Sequence, residues 1–95
     1  MKPADRVRTA TLVIVNDLGL HARAAAALVR LASAYRSDLR LYRRGREVNG
    51  KSIMDVLLLA ATRGSRVIAR ADGPDAEELL NDLRRLVAGG FGEGR

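Results

Sequence analysis

Residues 8–35 read RTATLVIVNDLGLHARAAAALVRLASAY, and this stretch contains an alternating segment, a break and an alanine-rich segment. From Arg8 to Asn16 apolar residues alternate with their neighbours, and the β-branched content favours a strand. The apolar positions on one side of the alternation are Ala10, Leu12 and Ile14. Asp17-Leu18-Gly19 interrupts the pattern. A helix is predicted from Ala22 to Tyr35, because alanine has the highest helix propensity.

The same two periodicities continue through the rest of the chain. They predict strands at 38–42, 46–49 and 66–71, each bounded by turn residues. A short helix to about Ala60 is expected after a capping box, with Ser52 as N-cap and Asp55 at the third helical position. A last helix is predicted from Asp75 to Ala88, where apolar residues recur at helical spacing.

The element order β-α-β-β-α-β-α determines the expected fold class. It predicts an α+β open-faced β-sandwich, in which three helices cover one face of a four-stranded antiparallel sheet. We expect one domain over residues 1–95, with a flexible tail over about 89–95 that contains four of the nine glycines.

Composition excludes several classes of site. Of the 95 residues, 47% are hydrophobic, which is enough for a core. The chain is too short for a second domain. There is no cysteine and only one histidine, so a disulfide framework is excluded and a zinc or iron site of the usual kind is not expected. We therefore expect no metal and no cofactor.

The chain has no apolar stretch near the roughly 20 residues that cross a bilayer. Residues 1–6, MKPADR, lack the apolar core of a signal peptide. We expect a soluble, cytoplasmic protein without membrane insertion.

The formal net charge of +6 is compatible with nucleic acid, an acidic protein surface or an anionic substrate. Scattered arginines are typical of a solvated surface. The next interpretation is binding to an acidic partner protein, and the rate of that association should depend on salt. An RNA-binding sheet needs aromatic residues on adjacent strands, and only Tyr42 lies in a predicted strand. We do not expect nucleic-acid binding.

His21 is the residue most suited to chemistry. It lies where the first helix begins, among unpaired backbone N–H groups, at the positive end of the helix dipole and beside Arg23. A neutral imidazole there can accept a phosphoryl group, and the N–H groups and arginine can hold its oxygens. The alternative is that His21 merely occupies a loop, and the residues alone leave both interpretations open.

Two motifs resemble the HPr family, the histidine phosphocarriers of the bacterial phosphoenolpyruvate-dependent phosphotransferase system. Gly19-Leu20-His21-Ala22-Arg23, followed by an alanine-rich helix, is similar to the family's active-site motif. The segment 48–56, VNGKSIMDV, resembles its regulatory serine region, and the segment 89–93 resembles the tail of family members. The resemblance extends from the first strand to that tail.

The resemblance implies that His21 accepts phosphate on Nδ1 from phosphorylated enzyme I and passes it to enzyme IIA domains, with Arg23 stabilising the phosphate. It also implies phosphorylation of Ser52 by an ATP-dependent HPr kinase/phosphorylase. The residues expected to dock partners are Leu20, Ala24, Ile53, Met54 and Leu57.

Two positions depart from the family pattern. Ala24 replaces the usual proline, which loosens the helix entry but supplies an N–H for the phosphate. Asp55 stands where many relatives have a small residue, and its charge opposes a phosphoserine at Ser52.

No constellation expected of a free-standing enzyme is present, so the chain is interpreted as a covalent phosphocarrier and not as an enzyme. We expect a monomer, because a relay protein must dock two partners in turn. The alternative function is a mainly regulatory HPr-like protein that acts through Ser52 and protein binding, with slow or absent phosphate relay.

Overall fold

The computed structural model describes residues 6–93. The predicted element order is confirmed, and the bounds are β1 Val7–Val13, α1 Ala22–Ser33, β2 Asp38–Arg43, β3 Arg46–Asn49, α2 Ile53–Leu58, β4 Arg66–Asp72 and α3 Ala76–Ala88. A short 3₁₀ turn follows at Gly90–Gly92. Residues 1–5 and the last two residues of the predicted tail lie outside the described residues.

The four strands form one antiparallel sheet in the order β1-β4-β2-β3. The register places Leu12 opposite Val67, and Leu41 opposite both Ala69 and Val48. These residues are all buried, because alternate side chains of each strand point toward the helices. The alternation predicted for each strand therefore sets one face of the core.

The helices cover that face of the sheet. α3 packs on β1 and β4, while α1 packs against α2 and α3. All five residues predicted for the apolar stripe of α3 are buried: Ala76, Leu79, Leu80, Leu83 and Val87. On α1 the buried residues are Ala24, Ala25, Leu28 and Ala32, and Val29 is only half-buried.

Several predicted element ends were wrong by two or three residues. β1 ends at Val13 and not at Asn16, because the buried Asn16 amide binds the Gly19 carbonyl in the following loop. α1 ends at Ser33 and not at Tyr35, with Ala34 as its C-cap. α2 ends at Leu58, and Ala60 adopts a left-handed φ of 49° that is incompatible with a helix.

The opposite face of the sheet carries no helix within residues 6–93. Val13 and Ile68 are 42% and 48% exposed there. None of the described helices combines the length and the apolar character that a bilayer span requires.

Candidate functional site

The loop between β1 and α1 is held tightly against the segment that follows α2. Gly19 has φ of +66°, and a Cβ atom at this position would lie 2.5 Å from the Ala61 carbonyl oxygen. The next residue, Leu20, donates its N–H to that same oxygen at 2.9 Å. Glycine is therefore required both by the backbone conformation and by the close approach, and the residues after it are placed rigidly.

His21 is the N-cap of α1. Its backbone is extended, with φ −75° and ψ 178°, and its carbonyl accepts the N–H of Ala25 at 2.8 Å. The ring atom Nδ1 accepts the backbone N–H of Arg23 at 3.3 Å. The Nδ1 lone pair therefore points toward the unpaired N–H groups of the first turn.

The other ring nitrogen, Nε2, contacts the carboxylate of Glu93. The turn at Gly90–Gly92, with Phe91 at φ of 58°, directs the end of the described chain back over the β1–α1 loop. The second Glu93 oxygen accepts the Asn16 side-chain amide at 2.9 Å. The hydrogen bond from Asn16, followed by that from His21, lowers the pKa of Glu93 below its ordinary value, so the carboxylate is ionised near neutral pH.

These two contacts together assign the tautomer of the imidazole ring. An ionised carboxylate accepts only, so Nε2 carries the proton and donates it to Glu93. The N–H of Arg23 donates only, so Nδ1 carries the lone pair. A neutral His21 thus presents Nδ1 as the nucleophilic nitrogen.

A shallow surface pocket surrounds the ring. Its walls are Asp17, Leu18, His21, Ala22, Arg23 and Glu93. The ring is 28% exposed, which leaves it accessible to a partner. Arg23 is exposed, whereas the Asp17 carboxylate at the rim is bound by Arg63 at 2.6 Å.

Ser52 lies at the start of α2 and is half-buried. Its hydroxyl oxygen accepts the N–H of Asp55 at 3.3 Å, as expected of an N-cap. The second half of the predicted capping box was wrong: the Asp55 carboxylate binds the N–H of Asn49 at 3.1 Å, three residues before the cap. Asp55 therefore secures the loop that precedes the helix.

The residues predicted to dock partners fall into two groups. Ile53 and Met54 are 41% and 74% exposed, and Leu57 is half-buried. Leu20 and Ala24, at 5% and 0% exposed, do not fit a docking role, because both side chains belong to the core beneath the site.

Sequence reasoning missed three features of this surface. Leu18 is 72% exposed in the pocket wall, and Leu58 is 56% exposed on α2. Glu93 carried no signal of its own, since a glutamate in a glycine-rich tail is usually solvated. Within residues 6–93, no group of three or more potential metal ligands comes together.

Comparison with known proteins gives one consistent family. Residues 8–89 match a family model described as the PTS HPr component phosphorylation site. The phosphocarrier protein HPr of Cupriavidus necator is 51% identical over 81 residues, covering 85% of this chain and 91% of that protein. A multiphosphoryl transfer protein of Escherichia coli O157:H7 is 38% identical over 95 residues, which make up 25% of its length.

The fold comparison agrees with the sequence comparison. The crystal structure of an HPr from Thermoanaerobacter tengcongensis matches with a TM-score of 0.89 and 38% identity. The match covers 93% of this chain and 99% of that one.

Proposed function

The chain belongs to the HPr family of phosphotransferase-system phosphocarriers, and from that premise we propose that His21 is its phosphoryl acceptor. Phosphorylated enzyme I, charged from phosphoenolpyruvate, donates the group, and histidines of enzyme IIA proteins receive it. The protein then acts as a covalently modified co-substrate and needs no cofactor of its own.

The observation that carries this proposal is the placement of Nδ1. It accepts the backbone N–H of Arg23, it points toward the first turn of a twelve-residue helix, and it lies in an accessible pocket. The lone pair attacks phosphorus in line while the bond to the donor breaks. The N–H groups and the dipole of α1 then stabilise the transferred charge.

Arg23 supplies the second source of positive charge. Its guanidinium is exposed and forms no salt bridge with a described carboxylate, so it is available to the phosphate oxygens. The backbone N–H of Ala24 also belongs to the first turn, where helix N–H groups have no intrahelical partner. Alanine in place of the family's proline therefore adds a donor near the site.

Partner docking is assigned to an apolar surface beside the pocket. It comprises Leu18, Ile53, Met54, Leu57 and Leu58, and we call it the docking surface. Four of its members are more than 40% exposed. Exposed apolar side chains next to a charged site are typical of a protein interface, and α2 lies against α1, which carries the histidine at its start.

Ser52 is proposed as a regulatory phosphorylation site for an HPr kinase/phosphorylase. Its partial exposure at the edge of the docking surface supports this role, because a phosphate there would add negative charge where partners bind. The Asp55 carboxylate, bound to the N–H of Asn49, weakens that modification by like-charge repulsion. The mainly regulatory alternative is less favoured, because His21 has the geometry of a nucleophile.

The proposal is tested by incubating the chain with phosphoenolpyruvate and purified enzyme I and then recording intact mass. We expect the mass of one phosphoryl group on the wild type, labile to acid, and none on His21→Ala. Phosphate on a folded His21→Ala variant, or none on a folded wild type, would contradict the proposal. In the second case, phosphorylation of Ser52 by kinase and ATP would test the regulatory alternative.

The relay to the second partner is tested by adding an enzyme IIA domain to the phosphorylated chain. The phosphoryl mass should move to the IIA domain. We expect this relay to take place in the cytoplasm. We also expect a monomer, since both partners must use the same pocket in turn.

A further inference from the structure

Glu93 is the one carboxylate among the described residues that contacts the His21 ring. We propose that Glu93 is a positioning residue for phosphoryl transfer. It holds the Nε2 proton, so that Nδ1 is the nucleophile, and it keeps that proton on the ring while the phosphoryl group is attached. This inference rests on the proposed function of His21.

Glu93 is itself held in place from the protein interior. Asn16 is fully buried, and its Nδ2 donates to Glu93 and to the Gly19 carbonyl, both at 2.9 Å. Its Oδ1 has no partner among the described residues. Because both Nδ2 partners are acceptors only, the opposite orientation of the amide would lose two hydrogen bonds, so the donor toward Glu93 is fixed.

The arrangement leaves the carboxylate facing two donors at once. One oxygen accepts from Asn16 and the other from His21. Only an ionised carboxylate accepts at both positions, because an amide or a protonated carboxyl has a donor group in place of one of the two acceptor oxygens. The pair of contacts thus selects a glutamate at this position.

The other charged residues near the ring cannot take over the role of the Glu93 carboxylate. Asp17 is bound by Arg63 at 2.6 Å, and Arg23 is a cation that begins α1 together with His21. An arginine has no acceptor atom, so Arg23 cannot accept the Nε2 hydrogen. Glu93 is therefore the acceptor that holds the ring proton on Nε2, while the Arg23 N–H occupies the Nδ1 side.

The phosphoryl step balances without an added acid or base. The Nδ1 lone pair forms the new nitrogen–phosphorus bond while the electron pair of the broken bond stays with the donor. No proton leaves Nδ1, since it carries none, and Nε2 keeps its own. The ring then bears a positive charge that the Glu93 carboxylate neutralises.

The contact between Glu93 and His21 also assists transfer of the phosphoryl group from His21 to the next acceptor. When the phosphoryl group leaves, the bonding electrons return to Nδ1, and a ring that still holds the Nε2 proton departs as neutral imidazole. A ring without that proton would depart as an imidazolate anion, which is a much poorer leaving group. Glu93 thus favours transfer in both directions.

The first test is a measurement on the unphosphorylated protein. The chain has a single histidine, so nitrogen-15 NMR shows one imidazole. At about pH 8.5, where an ordinary imidazole is neutral, we expect the Nε2–H tautomer to dominate in the wild type. In Glu93→Gln the side-chain amide can turn its NH₂ toward Nε2, and we expect a measurable population of the Nδ1–H tautomer.

The second test compares phosphoryl transfer rates. Loss of a charge-assisted hydrogen bond predicts a fall of about tenfold in the rate from enzyme I for Glu93→Gln and Glu93→Ala. The pH below which the phosphorylated ring hydrolyses rapidly should also fall by about one unit, since removing an adjacent opposite charge disfavours the protonated ring. If Glu93 had only a structural role, its replacement would leave the pH dependence of this hydrolysis unchanged.

The control is Glu47→Gln, which makes the same change of charge on exposed β3. It should leave tautomer, rate and hydrolysis unchanged. Unchanged tautomer, rate and profile in folded Glu93 variants would overturn the inference and leave the proposed function intact. Absence of phosphate on the wild type would contradict the function, whereas the tautomer measurement would still decide whether Glu93 controls the ring proton.

Discussion

At the scale of single residues, the geometry around His21 depends on Gly19 and Asn16, which do not line the pocket. Gly19 brings the loop against the Ala61 carbonyl, and this contact sets where His21 begins α1. Asn16 uses both amide hydrogens to connect that loop to Glu93. The His21 ring is thus oriented by residues that precede it and follow it in the sequence.

Gly19→Ala should destabilise the protein by about 2 to 4 kcal/mol, since strain at positive φ adds to a backbone collision. Gly45 is the matched control: its φ of +78° imposes a similar strain, but a Cβ atom there meets nothing within 4 Å. Urea unfolding measures both variants. An equal loss in the two would show that the approach to Ala61 is unimportant.

The residue scale also separates what the sequence can predict from what it cannot. His21 and Arg23 were singled out because they lie between a glycine break and an alanine run, and the resemblance to the HPr family supplied the roles proposed for them. Glu93 was not, because its contact joins residues 72 positions apart and depends on a left-handed Phe91. Neither feature leaves a periodic pattern in the sequence.

At the scale of elements, α2 is too short to bury all its apolar residues. Only Val56 among its six residues is buried, while Met54 is 74% exposed. The short helix is held instead at its start, by Ser52 as N-cap and by Asp55, which binds the preceding loop. Its apolar side chains are left available to partners.

Met54→Glu should raise the KM for phosphorylated enzyme I about tenfold, as expected for a central apolar contact at an interface. The free energy of unfolding should change by less than about 0.5 kcal/mol, because the side chain is exposed. Ile68→Glu is the matched control, with the same charge change on the open face of the sheet. Equal KM values for the two variants would place docking elsewhere.

Element types were more predictable than element ends. The alternation of Ala10, Leu12 and Ile14 and the stripe of α3 follow directly from burying one face. The end of β1 depended on a hydrogen bond within the following loop, from Asn16 to Gly19, which leaves no periodic pattern in the sequence. The capping box formed only in its Ser52 half, since the Asp55 carboxylate binds the Asn49 N–H before the helix.

At the scale of the whole molecule, Asp75 connects the start of α3 to the segment between α1 and β2. Its carboxylate accepts the N–H groups of Arg36 and Ser37, each at 2.9 Å, and the Ser37 hydroxyl. The Arg36 N–H, followed by the Ser37 hydroxyl, lowers the pKa of Asp75 from 3.8 to about 2. The folded state therefore favours the ionised form.

Because this pKa is lower in the folded state, the stabilisation is complete above about pH 4 and is lost as pH falls toward 2. Asp75→Ala should lower the free energy of unfolding at pH 7 by about 1 to 2 kcal/mol. The difference from wild type should shrink between pH 4 and 2 in urea titrations. Glu47→Ala, an exposed carboxylate on β3, serves as control; a constant difference down to pH 2 would contradict the assignment.

The contact between Glu93 and His21 also places the last of the described residues beside the His21 ring. A domain joined after this point by a short flexible linker would be held near the ring at an effective concentration in the millimolar range. Transfer between the two would become intramolecular, and a weak docking contact would suffice. The position of Glu93 beside the ring thus suits phosphoryl relay within one polypeptide as well as between separate proteins.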